Sequence, residues 1–288
     1  MPLAQAPSAT PTFPATISPP YDGDPLSATQ LRTDDLTPLQ NGVEAARLML
    51  YRGISIKPGL RSTNGTTVDM RGIPAMVVTA GGIWTVKGPI ATQTFAVADL
   101  EGGGAFANNT HYYMYLYLSG GVVTKQISST APDAYNVYKT GSTDHAYVGT
   151  FRTDGAGVIL PFSMSKGRYT YAQAIGQAVG TGLNATAYTA VSLANYVPPT
   201  AQTAEIFLHL SAVAADNADL SVRTAGYTAA GYTGVNFYQH KIWSNGANGE
   251  YVGACEIALD SSQQIEYRVS IVAAGSVAAI YVSGFDER

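Results

Sequence analysis

From Ile54 onward apolar residues recur at every second position, in short runs closed by glycine, and this period restricts the chain to an antiparallel β fold. Ile54-Ser55-Ile56, Met76-Val77-Val78, Ile83-Trp84-Thr85-Val86 and Thr94-Phe95-Ala96-Val97 are the first strand candidates. Asn64-Gly65, Gly81-Gly82 and Gly102-Gly103-Gly104 separate them as turns. The run His111 to Leu118 places His111, Tyr113, Tyr115 and Tyr117 on one face and Tyr112, Met114, Leu116 and Leu118 on the other. One face reads as core and the other as a tyrosine ladder that packs against a neighbouring strand or subunit. Ala146 to Phe151 and Val158 to Phe162 predict a hairpin closed by Thr153-Asp154-Gly155-Ala156-Gly157.

Between Ser165 and Gly182 the alternation loosens around Gly167, Gly176, Gly180 and Gly182, which predicts a domain boundary. Beyond it, alternation returns at Val191 to Leu193, Glu205 to Leu210, Val252 to Leu259, Glu266 to Ile271 and Val277 to Ser283. The expected fold is mainly β: an extended N-terminal arm at 1–26, a short α-helix within 27–53, a first antiparallel β domain at 54–170, and a jelly-roll-like sandwich at 171–288. The stretch Thr224 to Glu250 reads as a long Gly/Tyr/Asn-rich loop on that sandwich.

The N-terminal part departs from this period. Pro2, Pro7, Pro11, Pro14, Pro19, Pro20 and Pro25 exclude helix and paired central strands, leaving an extended docking arm with Phe13, Ile17 and Tyr21 as apolar anchors. The helix is predicted over Asp35 to Tyr51, with Ser27 or Thr33 as cap and Gly53 as stop. Leu36, Leu39, Val43, Ala46 and Leu50 follow one another at three- and four-residue intervals, the stripe of a short self-associating bundle or of a helix lying on its own domain.

Charged residues make up only 12% of the 288, about half the usual share, so part of the surface is expected to be covered by copies of the chain or by other proteins. A net charge of −4 with no basic run speaks against nucleic acid, and no apolar window is long enough for membrane insertion. The single cysteine, Cys255, sits in an alternating strand and reads as a small core residue.

No catalytic motif is present. Gly-x-Ser-x-Gly and phosphate-loop patterns are absent, and His111, His145, His209 and His240 lack metal-ligand spacing. Asp22-Gly23-Asp24 lacks the later ligands of a calcium loop, and Asp144-His145 reads as a loop contact. No catalytic residue, metal or cofactor is therefore assigned. The aromatic residues Tyr227, Tyr232, Phe237, Tyr238, Trp243 and Tyr251 crowd the long loop and are the candidate receptor-binding residues, since flat rings stack on sugars or fill protein hot spots.

The Pro-rich segment ending in Asp22-Gly23-Asp24-Pro25 and followed by a Leu/Ala helix resembles the attachment segment of bacteriophage virion appendage proteins, of the tail-fibre, baseplate or collar-spike type. Tyr147 to Asp154 continuing through Val158 to Phe162 and Gly167-Arg168-Tyr169 resembles a hairpin recurrent in them. Val197 to Ala201 and Asp260 to Tyr267 resemble segments of their distal sandwiches. Together these cover about a third of the chain. The resemblance implies a non-enzymatic homotrimeric structural protein of the virion, assembled in the host cytoplasm. Its N-terminal arm would dock on other virion proteins, and its distal domain would be exposed toward a host glycan or protein. The alternatives are a carbohydrate-binding module of a surface protein and a glycan-degrading tailspike, the latter lacking its β-helix repeat.

Overall fold

The computed structural model describes residues 57–73, 75–81, 83–213, 218–227, 239–244, 249–270 and 276–287. The arm with Phe13, Ile17 and Tyr21, and the helical stripe Leu36, Leu39, Val43, Ala46 and Leu50, lie outside these residues, as does the strand expected at Ile54 to Ile56.

The described chain is mainly β. The first strands are β1 (Leu60–Ser62), β2 (Thr67–Met70), β3 (Met76–Ala80), β4 (Ile83–Lys87) and β5 (Gln93–Ala96). They are followed by β6 (His111–Ser119), β7 (Val122–Ser128), β8 (Tyr138–Lys139), β9 (Ser142–Arg152) and β10 (Phe162–Ser165). The later strands are β11 (Arg168–Thr181), β12 (Thr189–Ser192), β13 (Thr203–Ala212), β14 (Asp219–Thr224), β15 (His240–Trp243), β16 (Gly249–Ala258), β17 (Gln264–Val269) and β18 (Val277–Asp286).

An eight-stranded sheet in the order β16-β13-β18-β11-β10-β1-β2-β5 runs through both halves of the chain. Two four-stranded sheets, β12-β17-β14-β15 and β7-β6-β9-β8, and the hairpin β3-β4 complete the fold. All of these strand pairs are antiparallel. Period-two burial explains the stacking. Along β13, Ala204, Ile206, Leu208, Leu210 and Ala212 are buried while their neighbours are half-exposed, so one face of the strand joins the main core. That core joins Leu60, Phe95, Met114 and Phe151 of the first half to Ile206, Val222, Ile265 and Phe285 of the second.

Residues 53–288 form one compact unit, so the boundary expected at 170/171 is corrected. It falls inside β11, which pairs with β10 on one side and β18 on the other. The weakened pattern there has a different cause. Register shifts between Thr170 and Ile175 and between Ile175 and Gly180 interrupt the alternation without ending the strand.

The hairpin expected from Ala146 to Phe162 forms only at its tip. The Asp154 carboxylate accepts the N–H groups of Ala156 and Val158 at 2.8 and 2.9 Å, and Gly157 takes the positive φ of 77°. After the Thr153–Ile159 bridge the chain leaves β9, because Pro161 has no N–H to continue a ladder, and Phe162 begins β10 beside β1. The stretch Thr224 to Glu250 is likewise not one loop, since β15 pairs with β14 inside it.

Candidate recognition surface

Sheet β12-β17-β14-β15 gathers an uncommon share of the chain's few charges on one face. Leu220 and Val222 of β14 point into the core, so Asp219, Ser221 and Arg223 take the opposite face. The register aligns Ser221 with Lys241 of β15 and with Arg268 of β17, and Arg223 with Glu266. Asp219 therefore meets Lys241 at 3.0 Å and Arg268 at 3.5 Å, and Arg223 pairs with Glu266 at 2.5 Å. The guanidinium of Arg223 lies 3.8 Å from the ring centre of Tyr188. Burial pushes the Asp219 carboxyl up, but hydrogen bonds from Lys241, Ser270 and Ser221 hold it below the ordinary carboxylate range. Burial raises the Tyr188 hydroxyl against the pull of Arg268 and Arg223.

Trp243, paired with Asp219 across β15 and β14, is 63% exposed on this charged sheet. Tyr227 is exposed just beyond β14. Tyr251, also a receptor-binding candidate, is half-buried. It stands opposite Leu210 on the inner face of β16, partly buried against the core. Tyr232, Phe237 and Tyr238 lie outside the described residues. Asp219, Arg223, Lys241, Glu266, Arg268 and Tyr188 were not singled out by the sequence. Their signal was present in the polar positions of two alternating strands, but pairing between strands is what brings them together.

The tyrosine ladder is buried within its own chain. Tyr113, Tyr115 and Tyr147 form a second small core with Ala131 against it, and the Tyr115 hydroxyl donates to the Thr130 carbonyl at 2.7 Å. Tyr147 donates to Glu287, which also takes the Lys57 ammonium at 3.2 Å and the Thr200 hydroxyl. Burial raises the hydroxyls of Tyr113, Tyr115, Tyr147, Tyr169 and Tyr171, so these rings are packing and hydrogen-bonding elements.

Asp144-His145 lies on β9 and not in a loop. Asp144 Oδ1 is 2.7 Å and Ser142 Oγ is 3.3 Å from the same ring nitrogen, Nδ1, while the ring stacks on Tyr117 at 4.5 Å. A relay needs the acid and the nucleophile on opposite nitrogens, so this trio cannot act as one. Cys255 faces the core and burial pushes its thiol up to about 12, which leaves it unreactive. Among the described residues no group of three His, Cys, Asp or Glu side chains is placed to hold a metal, and no helix is long and apolar enough to cross a membrane.

His111 faces Arg152 across β6 and β9. Burial and then the Arg152 charge lower the imidazole to about 4, against the Ala194 carbonyl.

No protein-family model matches the chain, and no curated protein matches it. Among solved structures it is similar to the insecticidal delta-endotoxin Cry8Ea1 from Bacillus thuringiensis, at 12% identity and a TM-score of 0.20. The match covers 79% of this chain and 51% of that one, so the chain spans about half the toxin's length.

Proposed function

We propose that this chain is a structural protein of a bacteriophage particle: a homotrimeric tail-fibre or similar appendage subunit, fixed by its N-terminal arm and helix and presenting its C-terminal half toward the host. The proposed role is non-enzymatic. The observation that carries the reading is the outer face of β16, β13 and β18. Register places Val252 and Ala254 beside His209 and Phe207, and these beside Ala279 and Tyr281. Val252 is 63% and Val277 is 40% exposed on this face, and its carboxylates stand toward the ends of the strands, Glu250 at one end and Glu205 opposite Glu256 at the other. An apolar stretch in the middle of a sheet face, on a chain with so few charges, is suited to a seam between identical subunits.

The strand order supports a jelly roll for the second half. The eight consecutive strands β11 to β18 divide into β16-β13-β18-β11 and β12-β17-β14-β15, the arrangement of two Greek keys folded over one another. Such sandwiches serve in viral capsids and in lectins, and three weakly binding copies held together gain avidity.

Mass measurement of the full-length chain tests the reading. Three times 30.2 kDa is expected, and a monomer at high concentration overturns it. The second reading, a carbohydrate-binding module, rests on exposed Trp243 among hydrogen-bonding side chains. It predicts glycan capture by a monomer, and an assay for released sugar separates either reading from a glycan-degrading tailspike.

A further inference from the structure

Arg152 carries an anomalous charge among the described residues. It is 6% exposed at the end of β9, and among the described residues no carboxylate lies within ion-pairing distance. Its Nη2 donates to Asn109 Oδ1 at 3.3 Å, and its guanidinium sits 5.5 Å from the ring centre of Tyr196. Among the described residues its Nε–H has no acceptor. Directly across the ladder, His111 carries two buried ring nitrogens; the Ala194 carbonyl faces the ring, but among the described residues neither nitrogen meets a partner at full hydrogen-bond geometry. The side chains of an opposed antiparallel pair stand side by side on one face of the sheet.

A buried guanidinium without a counter-charge is costly, and a buried N–H without an acceptor adds to that cost. Both deficits are removed by one species: a compact negative charge that accepts from Arg152 Nε and from a ring N–H of His111. The surroundings favour a weakly hydrated ion over a carboxylate or phosphate. The Tyr196 ring covers the guanidinium, the Tyr171 hydroxyl is spent on the Tyr196 carbonyl at 2.7 Å, and Asp154 feels Arg152 only through its charge. We propose that His111 and Arg152 form a binding site for a small monovalent anion of the halide class. This site is independent of the particle role and would hold for a chain of any function.

The groups facing His111 are Arg152 from β9 and the Ala194 carbonyl from the segment after β12. A bound anion offsets the first and so favours the protonated ring, which makes anion affinity rise as pH falls from 7 toward 5.

The test is thermal unfolding of the full-length chain in sodium bromide against sodium gluconate at equal ionic strength. A saturating, bromide-specific rise in midpoint is expected, with affinity reduced at least tenfold in Arg152→Met and strengthened at lower pH in the unaltered chain only. An equal response to both salts, or an unchanged bromide response in Arg152→Met, overturns the proposal. Should Arg152→Met fail to fold, His111→Phe carries the same comparison. Crystals soaked in bromide give an independent readout: an anomalous peak beside Arg152 Nε supports the site, and no peak there refutes it.

Discussion

Tyr147 donates its hydroxyl to both carboxylate oxygens of Glu287, at 2.9 and 3.0 Å, across 140 positions of sequence. Lys57 reaches the same carboxylate and also gives a 2.8 Å hydrogen bond to the Glu287 carbonyl, while Thr200 adds its hydroxyl. Glu287 is 2% exposed, so a point near the end of β18 is tied to β9, to the segment before β1 and to the turn before β13. This shared acceptor is one reason the two halves behave as one unit.

Replacing Glu287 by Ala should therefore leave three donors facing a buried void. A loss of about 3–5 kcal/mol is expected from urea unfolding, against about 1–2 kcal/mol for Tyr147→Phe, which removes one hydrogen bond. Equal, small effects would mean that the network contributes little.

His111 sets an acid limit on stability. Its folded-state value of about 4 lies below the ordinary 6.5, so the unfolded chain takes up a proton first. The stabilisation is complete above pH 6.5 and is lost as pH falls through 4, by about 3 kcal/mol in total. In low-halide buffer, thermal midpoints between pH 7 and 4.5 should decline in the unaltered chain and stay flatter in His111→Phe. Glu101 and Asp219, held below their usual ranges, take over only at lower pH.

Gly284 of β18 stands opposite Thr170 of β11. A methyl group there would run into the carbonyl oxygen of Tyr169, a backbone atom fixed by strand pairing, and would sit 2.9 Å from Glu205 Oε2. Gly284→Ala is expected to lower stability by about 1–3 kcal/mol through overpacking. Gly182→Ala is the comparison: nothing lies within 4 Å of its added methyl, and only the φ of 70° opposes it.

The proposed subunit seam predicts a charge-sensitive assembly. Val252→Asp should change monomer stability by no more than about 0.5 kcal/mol, being exposed, yet convert the assembly to 30.2 kDa protomers in light scattering. An undisturbed oligomer would place the seam elsewhere.

Trp243→Ala tests recognition on the other sheet. Cell adsorption of particles carrying the variant should drop at least tenfold with an unchanged melting temperature, because the exposed ring contributes to binding and little to the core. Unaltered adsorption would remove this surface from consideration.

Local alternation made the β class, and much of β3, β6, β9, β13, β16, β17 and β18, readable from the sequence alone, since period two is a property of neighbouring residues. It also marked Tyr113, Tyr115 and Tyr117 as one face and Cys255 as facing the core. What it could not supply was anything set by pairing over long separations. The bulges of β11 imitate a boundary, Tyr251 turns inward only because β16 aligns with β13, and Asp219 meets Arg268 only because β14 aligns with β17. Glu287 and Arg152 look like ordinary surface charges when read in order along the chain. Their burial, one fully paired and the other not, follows from which distant segments the sheets bring over them, and that depends on three-dimensional closure.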